Sequence, residues 1–159
     1  MTHRRERGFT LLELMIVVGI IAMIASIAIM AYVNSLDRAR QKRTMSDMRV
    51  IATAWEARAT ELRSYGVPGF EFPSTGATYE DLNEALVPTY SRSLPQNDGW
   101  GRPYEFATGS RPKEYAIRSA GRDGVFEEGE YVQGETSHPD CDVVYANGAF
   151  VVYPGTLAK

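Results

Sequence analysis

The chain is poor in the side chains that make reactive or metal centres. It has one cysteine, Cys141, and two histidines, His3 and His138, among 159 residues. A single cysteine closes no internal disulfide, so in an exported chain the thiol is free or pairs with another molecule. A partly buried, inert thiol is the simpler case, because free cysteine packs like a small hydrophobe. His138 and Cys141 together offer too few nitrogen and sulfur ligands for zinc. They also lack the orienting third group that an activated nucleophile needs. No glycine-rich phosphate loop is present. An enzyme is therefore not expected. A net charge of −3 gives no basic excess, so nucleic acid is not expected as a partner.

Proline and glycine are scarce in the first third. No proline precedes Pro68, and no glycine lies between Gly19 and Gly66. Charge is scarcer still: between Phe9 and Val33 the only charged side chain is Glu13. A membrane core about 30 Å thick takes about 20 apolar helical residues. At about 1.5 Å per residue, residues 9–33 extend about 37 Å, enough to cross with some tilt. A carboxylate in such a run costs about 2.5–3.5 kcal/mol at the membrane centre and is a functional suspect, unless it lies shallow enough to reach the interface.

A secretory signal that is cut off behind its apolar region has only about 7–15 apolar residues. This run is longer and is expected to be retained, although small residues at Ser26-Ile27-Ala28 leave room for cleavage there. Cations flank both sides, with Arg4, Arg5 and Arg7 before the run and Arg38, Arg40, Lys42 and Arg43 after it. Counting them does not settle topology.

The stretch Arg7-Gly8-Phe9-Thr10-Leu11-Leu12-Glu13-Leu14 resembles the class III leader of type IV pilins and type II secretion pseudopilins. The resemblance implies that a prepilin peptidase cuts after Gly8 and methylates Phe9 as the new N-terminus. It implies an assembly role for Glu13 and a cytoplasmic leader. Phe9 and Glu13 are one helical turn apart at i and i+4. The amine on Phe9 of one subunit could then neutralise Glu13 of a neighbour inside an apolar filament core, where only pairing offsets desolvation. Many relatives carry a helix-breaking proline late in the apolar run. This chain has Ile27-Ala28-Ile29-Met30-Ala31 there.

Past the apolar run, Met45, Met48, Ile51, Ala52, Trp55, Ala59 and Leu62 recur at spacings of three and four, the stripe of an amphipathic helix. Tyr65-Gly66-Val67-Pro68-Gly69 reads as its stop. One helix is expected over about residues 9–64, its first half in lipid and its second half on a domain core. The basic cluster Arg38–Arg43 reads as a solvated or headgroup-facing collar, with pairing to acidic groups of neighbouring subunits as an alternative. A short helix is expected at Thr78-Tyr79-Glu80-Asp81, a capping box with Asp in place of Glu, followed by the apolar face Leu82, Ala85, Leu86 and a stop at Pro88.

Leu94-Pro95-Gln96-Asn97-Asp98-Gly99-Trp100-Gly101-Arg102-Pro103-Tyr104 resembles the signature of the major pseudopilins of type II secretion, with Gly99 where that signature has proline. The glycines permit a tight turn, with Trp100 as its anchor on the helix stripe. Residues 104–107 and 114–119 alternate like strands, with Gly109–Pro112 linking them. Asn147-Gly148 between residues 142–146 and 149–153 is the strongest hairpin signal.

Ser119-Ala120-Gly121-Arg122-Asp123-Gly124 and the acidic stretch Glu127, Glu128, Glu130, Glu135, Asp140, Asp142 resemble the calcium loop of major pseudopilins. Calcium takes six to eight oxygens from carboxylates and carbonyls. The resemblance makes Asp123, Asp142 and the Ala120 carbonyl candidate ligands, although Asp142 follows Asp123 at a longer spacing than usual. The other reading is an Asp-Gly turn with a solvated acidic loop.

The expectation is thus an α+β, pilin-like fold: a long N-terminal helix against a small antiparallel sheet of three to four strands. Its parts are a leader (1–8), a membrane and assembly segment (9–33), an amphipathic helix half (34–65), a connecting region (66–98) and a sheet with an acidic loop (99–159). The function implied is a subunit of a pseudopilus-type helical filament for type II secretion. Its implied partners are further copies of itself, prepilin peptidase, an inner-membrane platform and minor pseudopilins. It would pass from the bacterial inner membrane to a periplasmic or extracellular filament. A type IV pilin making surface fibres and a signal-anchored monomeric binding domain are the alternatives.

Overall fold

A computed structural model describes residues 8–66, 78–108, 114–129 and 131–155. Residues 1–7 of the expected leader (1–8), the end of the expected helix stop at 67–69, the link at 109–112 and Glu130 lie outside the described residues. In order, the elements are α1 (Leu11–Leu62), α2 (Tyr79–Leu86), β1 (Glu105–Thr108), β2 (Tyr115–Ser119), β3 (Gly134–Thr136), β4 (Val143–Ala146) and β5 (Ala149–Pro154). The fold is α+β. The chain forms two compact units, the first running to Leu36 and the second from Asp37.

In the first unit every described side chain is exposed, including Leu12, Ile16, Ile20, Ile24 and Ile27. The helix that carries them is long and apolar enough to cross a membrane. A surface of that composition is not stable in water and needs lipid or protein around it.

In the second unit the remainder of α1 supplies the core stripe. Met48, Ile51 and Trp55 are fully buried, and Ala52, Ala54 and Ala59 nearly so. Each large side chain buried this way contributes about 1.5–3 kcal/mol relative to exposure. The buried stripe extends backwards through Thr44, Gln41 and Asp37, whose polarity hid them from hydrophobic periodicity. Leu62, expected in the stripe, is 54% exposed. The helix ends there because Arg63 turns into the left-handed region at φ 59°. Trp55 Nε1 donates to the Tyr65 carbonyl at 2.9 Å, and Arg58 donates to the Gly66 carbonyl at 3.0 Å. Side chains of the last turns thus hold the chain, and the stop precedes Gly66.

Helix α2 opens on the expected capping box: Thr78 accepts from the Asp81 N–H while Asp81 accepts from the Thr78 N–H. Leu82 and Leu86 are fully buried. They join Trp55, Phe106, Tyr115, Ile117, Val143 and Tyr145 in the core. Trp55 meets Phe106 edge-on, with centroids 6.3 Å apart, a favoured aromatic geometry.

The sheet departs from expectation. It has five strands in the order β1-β2-β4-β5-β3. The pairs β1/β2, β2/β4 and β4/β5 are antiparallel, but β3 runs parallel to β5. The sheet is therefore mixed, not antiparallel. Strand β3 reads Gly-Glu-Thr, without alternation or a β-branched run. It becomes a strand because β5 offers an edge: Gly134 pairs with Val152, and the Thr136 carbonyl accepts from Gly155 N–H at 2.9 Å. The Asn147-Gly148 hairpin is present, with Asn147 at φ 50°. Asn147 Oδ1 also accepts from the Tyr115 N–H at 2.9 Å, tying the turn to β2.

Candidate functional site

Three places carry the residues singled out by sequence. The first is the start of α1. Gly8 and Phe9 are exposed, Phe9 at 76%. Thr10 N–H and Thr10 Oγ1 both donate to Glu13 Oε2 at 2.9 Å, and Glu13 N–H donates to Thr10 Oγ1 at 3.2 Å. Thr10-Leu11-Leu12-Glu13 is thus a capping box, two orphan donors of the first turn being satisfied reciprocally. The pattern Thr-x-x-Glu ahead of an apolar run is the sequence signal for it, and sequence reading missed it. Phe9 precedes the cap, so it does not share a helical face with Glu13 at i and i+4. The reason is local: Thr10 takes the capping conformation and the helix begins at Leu11.

The second is the turn at residues 97–103. Asp98 is almost fully buried. Its Oδ1 accepts from the Trp100 and Arg102 N–H groups, each at 2.9 Å, and its Oδ2 accepts from Ser119 Oγ at 2.7 Å. Gly99 N–H donates to Thr44 Oγ1 at 2.9 Å. A Cβ on Gly99 would stand 2.3 Å from the Arg40 carbonyl oxygen. The contact with the helix stripe is therefore made by the Gly99 backbone. Trp100, expected as the anchor, is only half-buried and stands outside the core cluster. Proline at 99 would lack the N–H that Thr44 accepts.

The third is the acidic loop. Gly121 sits at φ 59°, and its missing Cβ would meet the Cys141 carbonyl oxygen at 2.6 Å. That close approach brings the Ser119–Gly124 turn against residues 139–141. Arg122 bridges both sides, at 2.9 Å from Asp37 on α1 and 2.6 Å from Asp140. Its guanidinium holds the Asp140 carboxyl below the usual carboxylate range. Asp142 is fully buried. Its Oδ2 accepts from the Tyr131 hydroxyl and, at 3.0 Å, from the Glu127 N–H. Its Oδ1 is buried with no hydrogen-bond partner. Burial raises the Asp142 carboxyl above its ordinary value, against the lowering effect of those hydrogen bonds. Burial, with the bond to Asp142, pushes the Tyr131 phenol up to about 12. Arg118 donates to Tyr131 and lies over the Phe126 ring.

Of the candidate ligands, only Asp142 presents a buried oxygen without a donor. Asp123 is exposed, with Oδ1 accepting from the Val125 N–H at 3.0 Å, and the Ala120 carbonyl accepts from the Gly124 N–H at 3.1 Å. Among the described residues no three His, Cys, Asp or Glu side chains converge on a metal position. Cys141 is half-buried, and burial raises its thiol pKa.

The family model for the prokaryotic N-terminal methylation motif matches residues 3–29. That for type II secretion system (T2SS), protein G, matches residues 31–135. Curated relatives named type II secretion system core protein G are similar over most of the chain. The Escherichia coli K12 protein is 31% identical over 130 residues, 76% of this chain and 84% of its own length. The Pseudomonas aeruginosa protein is 30% identical over 138 residues, 78% of this chain and 89% of its own. The Klebsiella michiganensis protein is 28% identical over 134 residues, 79% and 89% respectively. No solved structure matches the chain.

Proposed function

The chain belongs to the type II secretion system protein G family, and from that membership we propose that it polymerises into the helical pseudopilus through its exposed apolar helix. It is a structural pseudopilin subunit of type II secretion and not an enzyme. The observation that carries the polymer reading is the contrast within α1. The first unit leaves every described apolar side chain uncovered, while the second has its own core. Lipid covers the first before assembly; copies of the same segment cover it afterwards. Prepilin peptidase cleaves after Gly8 and methylates Phe9, and the new amine meets Glu13 of a neighbouring copy. The subunit leaves the inner membrane through an assembly platform, joins minor pseudopilins and ends in a periplasmic filament.

Glu13 has two roles to separate, cap and charge. Glutamine serves in a capping box as glutamate does, but it is neutral. Glu13→Ala and Glu13→Gln are both expected to abolish filaments seen by electron microscopy. Filaments restored in Glu13→Gln would assign Glu13 to capping alone. Mass spectrometry of the mature N-terminal peptide is expected to give methylated Phe9, and a peptide retaining residues 1–8 would refute the processing step.

Calcium is a further part of this proposal. The orphaned Asp142 Oδ1 supports it, since a buried carboxylate oxygen calls for a cation or donor. Asp142, Asp123 and the Ala120 carbonyl would hold the ion, which would offset the buried charge and tie the Ser119–Gly124 turn to β4. Chelation is expected to lower the melting temperature of the wild-type chain and leave that of Asp142→Asn unchanged. Equal melting of the wild-type chain with and without calcium would remove the ion from the account.

A further inference from the structure

We propose that the exposed cations just past the apolar run, Arg38 and Lys42 foremost, bind the headgroups of anionic phospholipids while the subunit is membrane-resident. The proposal rests on the membrane-anchored reading above. Arg38 follows Val33 by five residues, so even a fully extended chain keeps it within about 18 Å of the end of the apolar run. Cations that follow a membrane-spanning run this closely in the chain are the kind an anionic leaflet attracts.

The second support is how the nearby acids are used. Asp37 is the one carboxylate between residues 34 and 46. It is buried, and it faces Arg122 at 2.9 Å and Arg40 at 3.8 Å. Asp47 stands 3.5 Å from Arg43. Among the described residues the side chains of Arg38 and Lys42 meet no ion-pair or hydrogen-bond partner, and both are exposed. At i and i+4 they share one helical face and repel each other. A phosphate placed between them relieves that repulsion. An anionic surface is worth about a factor of five per neighbouring Lys or Arg.

The test uses the full chain in phosphatidylcholine vesicles doped with spin-labelled phosphatidylglycerol or spin-labelled phosphatidylcholine. The motionally restricted lipid beside the protein is read by electron paramagnetic resonance. The expected result is a preference for phosphatidylglycerol of about fivefold at low salt, the worth of one engaged cation. It should fade toward parity at 1 M salt, where the Debye length is about 3 Å. The neutral double variant Arg38→Gln/Lys42→Gln should lower the preference, with Arg4, Arg5 and Arg7 still present, and the charge-keeping Arg38→Lys/Lys42→Arg should retain it in full. An undiminished preference in the neutral variant overturns the proposal. Restricted lipid without preference overturns the proposal and leaves membrane anchoring standing. No restricted lipid of either kind overturns both. Loss of filaments in the neutral variant, with no lipid preference in the wild-type chain, overturns the proposal and makes the cations a contact between copies.

Discussion

Gly99 shows how much can depend on one missing side chain. Its N–H donates to Thr44 Oγ1, and Thr44 in turn donates to the Arg40 carbonyl at 3.0 Å. The turn therefore lies directly on the helix backbone, with no room for a Cβ. Gly99→Ala is expected to cost about 2 kcal/mol or more, because overpacking a tight contact forces backbone shifts. The measurement is the urea midpoint of the unit from Asp37 onwards, which has its own core, compared with the same unit carrying Gly101→Ala. The second change strains φ 85° but meets no atom within 4 Å. A Gly99→Ala midpoint equal to that of the unaltered unit would mean that the helix contact yields without cost. Asp98 next to it does three jobs at once, capping two N–H groups and holding Ser119. Its burial could not be read from a one-dimensional pattern, because a buried carboxylate looks like any turn aspartate until its donors are located.

Among the elements, the β4–β5 hairpin was legible and β3 was not. Asn-Gly announces a two-residue turn, since both residues tolerate positive φ. The additional bond from Tyr115 N–H to Asn147 Oδ1 makes the turn part of the sheet. Asn147→Gly keeps the backbone freedom and loses that acceptor, while Asn147→Ala loses both. A loss of about 1 kcal/mol is expected for Asn147→Gly, the usual worth of one hydrogen bond. Asn147→Ala is expected to lose more, because a left-handed residue without glycine or asparagine is strained. Thermal unfolding of the two variants checks the order, and equal losses would show that the side-chain bond dominates. Strand β3 has no such local code. Its three residues are extended because β5 accepts them in parallel register.

For the molecule as a whole, buried phenols give stability a ceiling at alkaline pH. Burial, with the charges of Asp47 and Asp98, raises the Tyr104 phenol well above its ordinary value. Burial and the bond to Glu56 do the same for Tyr115. In the unfolded chain these groups titrate near about 10. The folded chain thus keeps protons that the unfolded chain gives up, so its advantage is whole below about pH 10 and falls as pH rises toward the folded values. Urea midpoints are expected to hold between about pH 8 and 9.5 and to fall by about pH 11, with tyrosinate absorbance from the core appearing together with unfolding. Constant midpoints through pH 11 would show that these phenols ionise in place. The order of apolar, charged, proline and glycine residues was enough for the membrane-length run, its one carboxylate, the stripe on α1, the capped α2 and the hairpin. Each of these depends on neighbours within a few residues. The Thr10–Glu13 box is equally local, a Thr-x-x-Glu ahead of an apolar run. Long-range contacts alone placed the parallel β3, turned Asp37 and Asp142 inward, put Gly99 against Arg40 and joined Arg122 to both α1 and Asp140. Such pairings are set by which surfaces meet when the chain closes on itself, a property that no stretch of sequence carries alone.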